Sequence, residues 1–102
     1  MKYVYLIRSQ ENGLYKIGIS NKPTIRIKQL QTGNGEDLKL IESFPSQHPT
    51  KVETALHNMY ASNKKRGEWF ELGIDHELSF ISECNRIEEN INYLLKEGNE
   101  FV

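Results

Sequence analysis

Two strand-like runs rich in β-branched and aromatic residues, Tyr3-Val4-Tyr5-Leu6-Ile7 and Leu14-Tyr15-Lys16-Ile17-Gly18-Ile19-Ser20, flank the turn signal Asn12-Gly13. Such runs bounded by turn residues predict strands over about 2–8 and 14–20. A two-residue turn at Asn12-Gly13 would pair Glu11 with Leu14, Ser9 with Lys16, Ile7 with Gly18 and Tyr5 with Ser20. Cross-strand partners share a face. One face then carries Tyr5, Ile7, Lys16, Gly18 and Ser20, and the other Val4, Leu6, Tyr15, Ile17 and Ile19. The second face is core. The first reads as a working surface.

Asn21-Lys22-Pro23 predicts a helix start, with proline in the first turn. The helix would run to about Gln31 and stop at Thr32-Gly33-Asn34-Gly35. A third strand is expected over about 38–44 and a loop from Pro45 to Pro49. A second helix is expected over about 50–63, burying Val52, Leu56 and Met59. Lys64-Lys65-Arg66-Gly67 reads as a basic turn and Glu68–Leu72 as a short extended segment. The last element is a long amphipathic helix of about 75–96. Leu78, Ile81, Cys84, Ile87, Ile91 and Leu94 recur along it at steps of three or four. That stripe is expected to cover the sheet face bearing Val4, Leu6, Ile17 and Ile19. The expected fold is α/β (α+β): a small three-stranded antiparallel sheet flanked by helices, in one domain spanning 1–102.

Composition narrows the class. The 102 residues are 37% hydrophobic and 26% charged, as in an ordinary soluble domain with one core. No apolar run reaches membrane-spanning length and the N-terminus lacks a signal-peptide core, so no membrane partner is expected. A lone cysteine, Cys84, excludes an internal disulfide and suits a reducing, cytoplasmic setting. The net charge of −1 hides a division: residues 1–72 hold 11 Lys/Arg against 7 Asp/Glu, whereas 73–102 hold 2 against 7. A basic body can meet a polyanion while the acidic tail lies away from it, through local contacts rather than a diffuse basic coat.

Several residues suit phosphodiester chemistry when taken together. Tyr5 and Lys16 share the working face. Arg26 lies one turn into the first helix, and Glu53 and His57, four apart, stack on one side of the second. One carboxylate with waters and a substrate phosphate suffices for Mg²⁺, and arginine matches phosphate oxygens with two donors. Lysine, tyrosine or histidine near an attacking water can organise proton transfer.

Read singly, each residue has an ordinary structural role. Tyrosines are common in strands, and Gly18 can mark a bulge or a close backbone approach. Arg26 can belong to a solvated face, and Thr50-Lys51-Val52-Glu53 is a capping-box pattern that would turn Glu53 back on its own helix. Trp69 and Phe70 can simply close the core. His48, His57, His76 and Cys84 lack the paired short spacings of a zinc module. Cys84 falls on an apolar stripe rather than in a nucleophile's setting, and Gly33-Asn34-Gly35 is no P-loop.

In combination, these residues resemble the GIY-YIG nuclease superfamily, especially its phage-type branch. The matching elements are Tyr3-Val4-Tyr5, then Lys16-Ile17-Gly18 preceded by Tyr15, Arg26 eight residues later, Val52-Glu53-Thr54-Ala55-Leu56-His57, and Gly67-Glu68-Trp69-Phe70-Glu71. The resemblance covers about residues 3–72. It implies a metal-dependent endonuclease acting on DNA, with RNA not excluded, as a monomer or weak homodimer in a phage or mobile-element setting. Carried over, Tyr5 orients or deprotonates water, Arg26 binds the scissile phosphate, Glu53 holds one Mg²⁺ or Mn²⁺, and His57 assists beside the metal. Ser20 and Lys28 join Lys16 and Arg26 on the substrate. Lys16 replaces the second motif's tyrosine, either as a base or as a grip on phosphate. The alternatives are a non-cleaving nucleic-acid-binding module of the same fold and a protein-interaction module working through the acidic last helix.

Overall fold

The computed structural model describes residues 1–98. Strands β1 (Lys2–Ser9) and β2 (Tyr15–Ser20) lead into helix α1 (Pro23–Asn34), strand β3 (Leu38–Ser46) and helix α2 (Pro49–Met59). A short 3₁₀ turn (Ala61–Asn63), strands β4 (Lys64–Arg66) and β5 (Trp69–Phe70) and helix α3 (Ile74–Lys96) follow. The strands form one antiparallel sheet in the order β3-β1-β2-β5-β4. Five strands replace the expected three. At three and two residues, β4 and β5 are too short to show a period, and every residue of β4 is exposed. They exist as strands because β5 pairs with β2, Tyr15 opposite Phe70 and Lys16 opposite Trp69.

The first hairpin is displaced by two residues from the expected register: Tyr5 lies opposite Gly18, and Ile7 opposite Lys16. A two-residue Asn-Gly turn needs positive φ at both positions, and only Gly13 adopts it, at +74°. The chain uses a four-residue loop instead. Ser9 N–H donates to Leu14 O at 2.8 Å, Gly13 N–H to Ser9 O at 2.9 Å, and Leu14 N–H to Asn12 Oδ1 at 2.9 Å. A shift of two leaves every side chain on its expected face, whereas a shift of one would have exchanged the faces.

Helices cover both faces. On one, Val4, Leu6, Tyr15, Ile17 and Phe44 pack with Val52 and Leu56 of α2 and with Phe80, Cys84, Ile87 and Ile91 of α3. On the other, Tyr5, Ile7 and Leu38 pack under Ile27 of α1, with Leu30, Leu40 and Trp69 alongside. The supposed working face is therefore largely a second core. Burying apolar surface at about 25 cal/mol per Å² favours covering Ile7 and Tyr5.

The helices differ in detail from their expected spans. The first continues through Gly33 and ends where Gly35 N–H returns to Gln31 O at 2.8 Å. The second closes at Met59, which is 39% exposed rather than buried. On α3, Leu78 is 81% exposed and Phe80 buried in its stead. Each three-residue step turns a stripe by roughly 60°, so 78→81→84 drifts off the face that 80, 84, 87 and 91 hold. Among the described residues no helix is long and apolar enough to cross a membrane.

Candidate active site

The site is built on the outer edge of β2. Pairing with β5 ends at Lys16, so past that point the edge faces no strand. The carbonyl of Ile17 is taken by His57, whose Nε2 donates to it at 3.0 Å. A carbonyl can only accept, so Nε2 carries the proton and Nδ1 is left free of that bond. Phe70 meets the same imidazole edge-on, with ring centroids 5.1 Å apart. Helix α2 thus reaches the sheet edge through His57, beside its buried stripe of Val52 and Leu56.

Tyr5 crosses from β1 to β2 over Gly18. A Cβ at residue 18 would collide with Tyr5 Oη and Cζ, so only glycine lets the phenol lie there. The residue is 2% exposed, yet its hydroxyl makes no hydrogen bond among the described residues and is not sealed from solvent. The phenol is held by its ring and free at its oxygen.

Lys16 follows on the same face, two residues along β2. Its Nζ lies 3.1 Å from a carboxylate oxygen of Glu68 and 6.0 Å from the centroid of the Trp69 ring. The hydrogen bond from Lys16, then its charge, hold the Glu68 carboxyl below the usual range, with His57 and Lys64 adding to the effect. Sequence reading assigned Glu68 no part in the chemistry. Its signal was its place in Gly67-Glu68-Trp69-Phe70-Glu71, one of the elements that carry the family resemblance.

Flanking helices carry the other expected site residues. Arg26 and Lys28 are exposed on α1, and neither side chain has a partner among the described residues. Ser20 Oγ accepts from Lys22 N–H at 3.0 Å, ordering the turn into α1. Glu53 sits one turn before His57, half-buried. The capping-box role does not form, because α2 begins at Pro49 and has no side-chain cap of its own. Glu88 of α3 does that work from outside, accepting from Ser46 Oγ at 2.5 Å, Gln47 N–H at 2.9 Å and His48 N–H at 3.3 Å. The Glu53 carboxylate is left without a hydrogen bond or ion pair among the described residues.

Direct contacts thus tie Tyr5 to Gly18, Lys16 to Glu68 and His57 to Ile17 around one strand edge. Arg26 and Glu53 flank that edge on their helices without touching these groups. Among the described residues no group of three or more His, Cys, Asp or Glu is arranged around a metal. A protein cage of the zinc kind does not fit. A hard cation that takes one carboxylate and completes its shell with water and phosphate does fit the unpartnered Glu53. A groove of about 890 Å³ lies on the opposite flank of α2, between Thr54, Asn58 and Met59 and the α3 residues Arg86 and Asn90. It holds none of the site residues, and chemistry outweighs size in placing the site.

Comparison with known protein families finds that the T5orf172 domain matches residues 2–87. No curated protein and no solved structure matches the chain.

Proposed function

The chain belongs to the T5orf172 domain family, a phage-associated nuclease-like domain, and from that premise we propose a metal-dependent endonuclease that hydrolyses DNA phosphodiesters by a GIY-YIG-type mechanism. The observation that carries the reading is the pairing of Tyr5 with Gly18. The sheet gives up a side chain at residue 18 and places there a tyrosine with a free hydroxyl. The ring is buried while the hydroxyl, unpartnered by protein, reaches solvent and so is available to a water or a substrate.

The remaining residues take roles by chemistry. Tyr5 Oη accepts a hydrogen bond from the attacking water and orients it. Lys16 Nζ and the Arg26 guanidinium grip non-bridging phosphate oxygens, Arg26 with two parallel donors. His57, fixed through Nε2, offers the Nδ1 lone pair as an acceptor to water. Water adds to phosphorus as the bond to the departing sugar oxygen breaks. The water's proton passes to solvent, directly or by relay as Tyr5 takes it up and releases its own hydroxyl proton, and the departing oxygen takes a proton from solvent. Glu53 would hold one Mg²⁺ or Mn²⁺, which when bound supplies charge to offset that developing on the phosphate. Ser20, at the end of β2, and Lys28, on the exposed side of α1, extend the phosphate contacts.

A second reading keeps the fold and nucleic-acid binding without cleavage. It is favoured by Glu68, which already engages the Lys16 ammonium. A supercoiled-plasmid nicking assay in Mg²⁺, Mn²⁺ or EDTA, run beside Glu53→Ala and a gel shift, separates the two. Metal-dependent nicking lost in Glu53→Ala with DNA binding retained is the expected result. Wild-type binding without nicking would leave the binding module standing.

A further inference from the structure

Lys16 does not reach the β2 edge alone. The β4–β5 hairpin turns through Gly67 and Glu68, which places Glu68 directly before Trp69, the residue opposite Lys16. There the Glu68 carboxylate meets Lys16 Nζ at 3.1 Å; the Lys16 side chain is 18% exposed and that of Glu68 69%. The Trp69 ring flanks the ammonium at 6.0 Å. We propose that Glu68 is a positioning residue: it holds Lys16 aimed along the sheet edge toward the place where Tyr5 and the substrate phosphate meet. The inference rests on the nuclease reading above.

Stability is a poor reason for this pair. An ion pair with so exposed a carboxylate contributes little to stability. Fixing a lysine stem costs rotamer entropy that such a pair does not recover. A side chain immobilised before substrate arrives pays that cost during folding, and the chemical step no longer has to. Trp69 closes one side of the ammonium and Glu68 takes one of its donors. A lysine donates three hydrogen bonds, so phosphate can still be gripped. The arrangement makes Lys16 an aimed donor to phosphate and leaves water to Tyr5, resolving the choice of role left open for Lys16. Without Glu68 the stem swings free; with aspartate, one methylene shorter, it is partly held.

The test uses the full chain with Glu68→Gln, Glu68→Asp, Lys16→Ala and the Lys16→Ala/Glu68→Gln double variant. Two readouts are independent of each other. The first is the ¹⁵Nζ correlation of the Lys16 ammonium in the NMR spectrum, assigned by its loss in Lys16→Arg. It is expected in the wild type, absent in Glu68→Gln and recovered in part in Glu68→Asp. The second is metal-dependent nicking, where Glu68→Gln should lower kcat by roughly 10- to 100-fold with KM within about threefold. In the Lys16→Ala background the same change should have no further effect on kcat. Unchanged kcat in Glu68→Gln, tighter DNA binding at the same kcat, or an equal loss in the Lys16→Ala background would each overturn the proposal. Wild-type protein that does not nick would defeat the nuclease reading instead. The ammonium signal would then still judge the pairing, and its persistence in Glu68→Gln would overturn it.

Discussion

The phenol of Tyr5 lies against the bare backbone of Gly18, the residue opposite it on β2, so closely that a single methyl group on residue 18 would occupy the phenol's space. Tyr5 is packed beside Ile7 and Ile27 under α1, which leaves the ring little freedom to yield.

Gly18→Ala should therefore cost about 1–3 kcal/mol through overpacking and displace the phenol. Plasmid nicking should fall at least tenfold. Tyr5→Phe isolates the hydroxyl: the melting temperature should move little, because Oη has no protein partner, while nicking drops by roughly 10²–10⁴-fold. A Tyr5→Phe protein that nicks at the wild-type rate would remove Tyr5 from the chemistry.

Tyr15 sets an alkaline limit on stability. Burial, and next the hydrogen bond its hydroxyl donates to Glu77 at 2.5 Å, push its pKa up from 10.0 to about 12. The folded state thus favours the neutral phenol. The associated stability, up to roughly 2–3 kcal/mol, is complete below pH 10 and is lost as pH rises through 12. Urea midpoints measured between pH 8 and 12 should fall over that window. In Tyr15→Phe that part of the fall should disappear.

Glu88 holds two helices at once, since its carboxylate on α3 accepts from Ser46, Gln47 and His48 at the start of α2. Glu88→Ala should destabilise by about 1–3 kcal/mol, because it removes a cap and leaves half-buried donors unsatisfied. Denaturant unfolding with unchanged m-value would report this. A change below about 0.3 kcal/mol would mean that water replaces the carboxylate at no cost.

The exposed hairpin residues Lys64, Lys65 and Arg66 lie on the outermost strand, beyond Trp69. Changing all three to serine should weaken DNA binding to a similar degree for unrelated sequences. It should also lower the slope of log K against log salt by about 2–3. Fluorescence anisotropy from 50 to 200 mM salt measures both. An unchanged slope would place the hairpin outside the DNA footprint.

Much of the frame was legible in the chain. The expected hairpin pairing placed Tyr5 and Gly18 on one face and Val4, Leu6 and Ile17 on the other. The assignment survived a two-residue error in register because the sheet's side-chain period is also two. The stripes of α2 and α3 were read with single substitutions, Phe80 for Leu78 among them, because runs of three-residue steps blur a helical face. The role of Glu68 was hidden, since a three-residue strand and a two-residue strand carry no period.

By itself, the sequence determined what depends on neighbours along the chain: strand faces, most of the helix stripes, the start of α1 at Pro23, and the order of the motif residues. Tertiary structure alone decided which distant groups meet. It brought Glu68 to Lys16 across the β2–β5 pair, His57 to the Ile17 carbonyl, and Glu88 to the start of α2 in place of the capping box at Thr50. It also decided that most of the Tyr5 face would be roofed by α1. Local patterns arise from backbone periodicity and are written in adjacent residues. Contacts across 40 or 50 residues arise from packing two layers of helices onto one sheet, and no run of neighbouring residues encodes them.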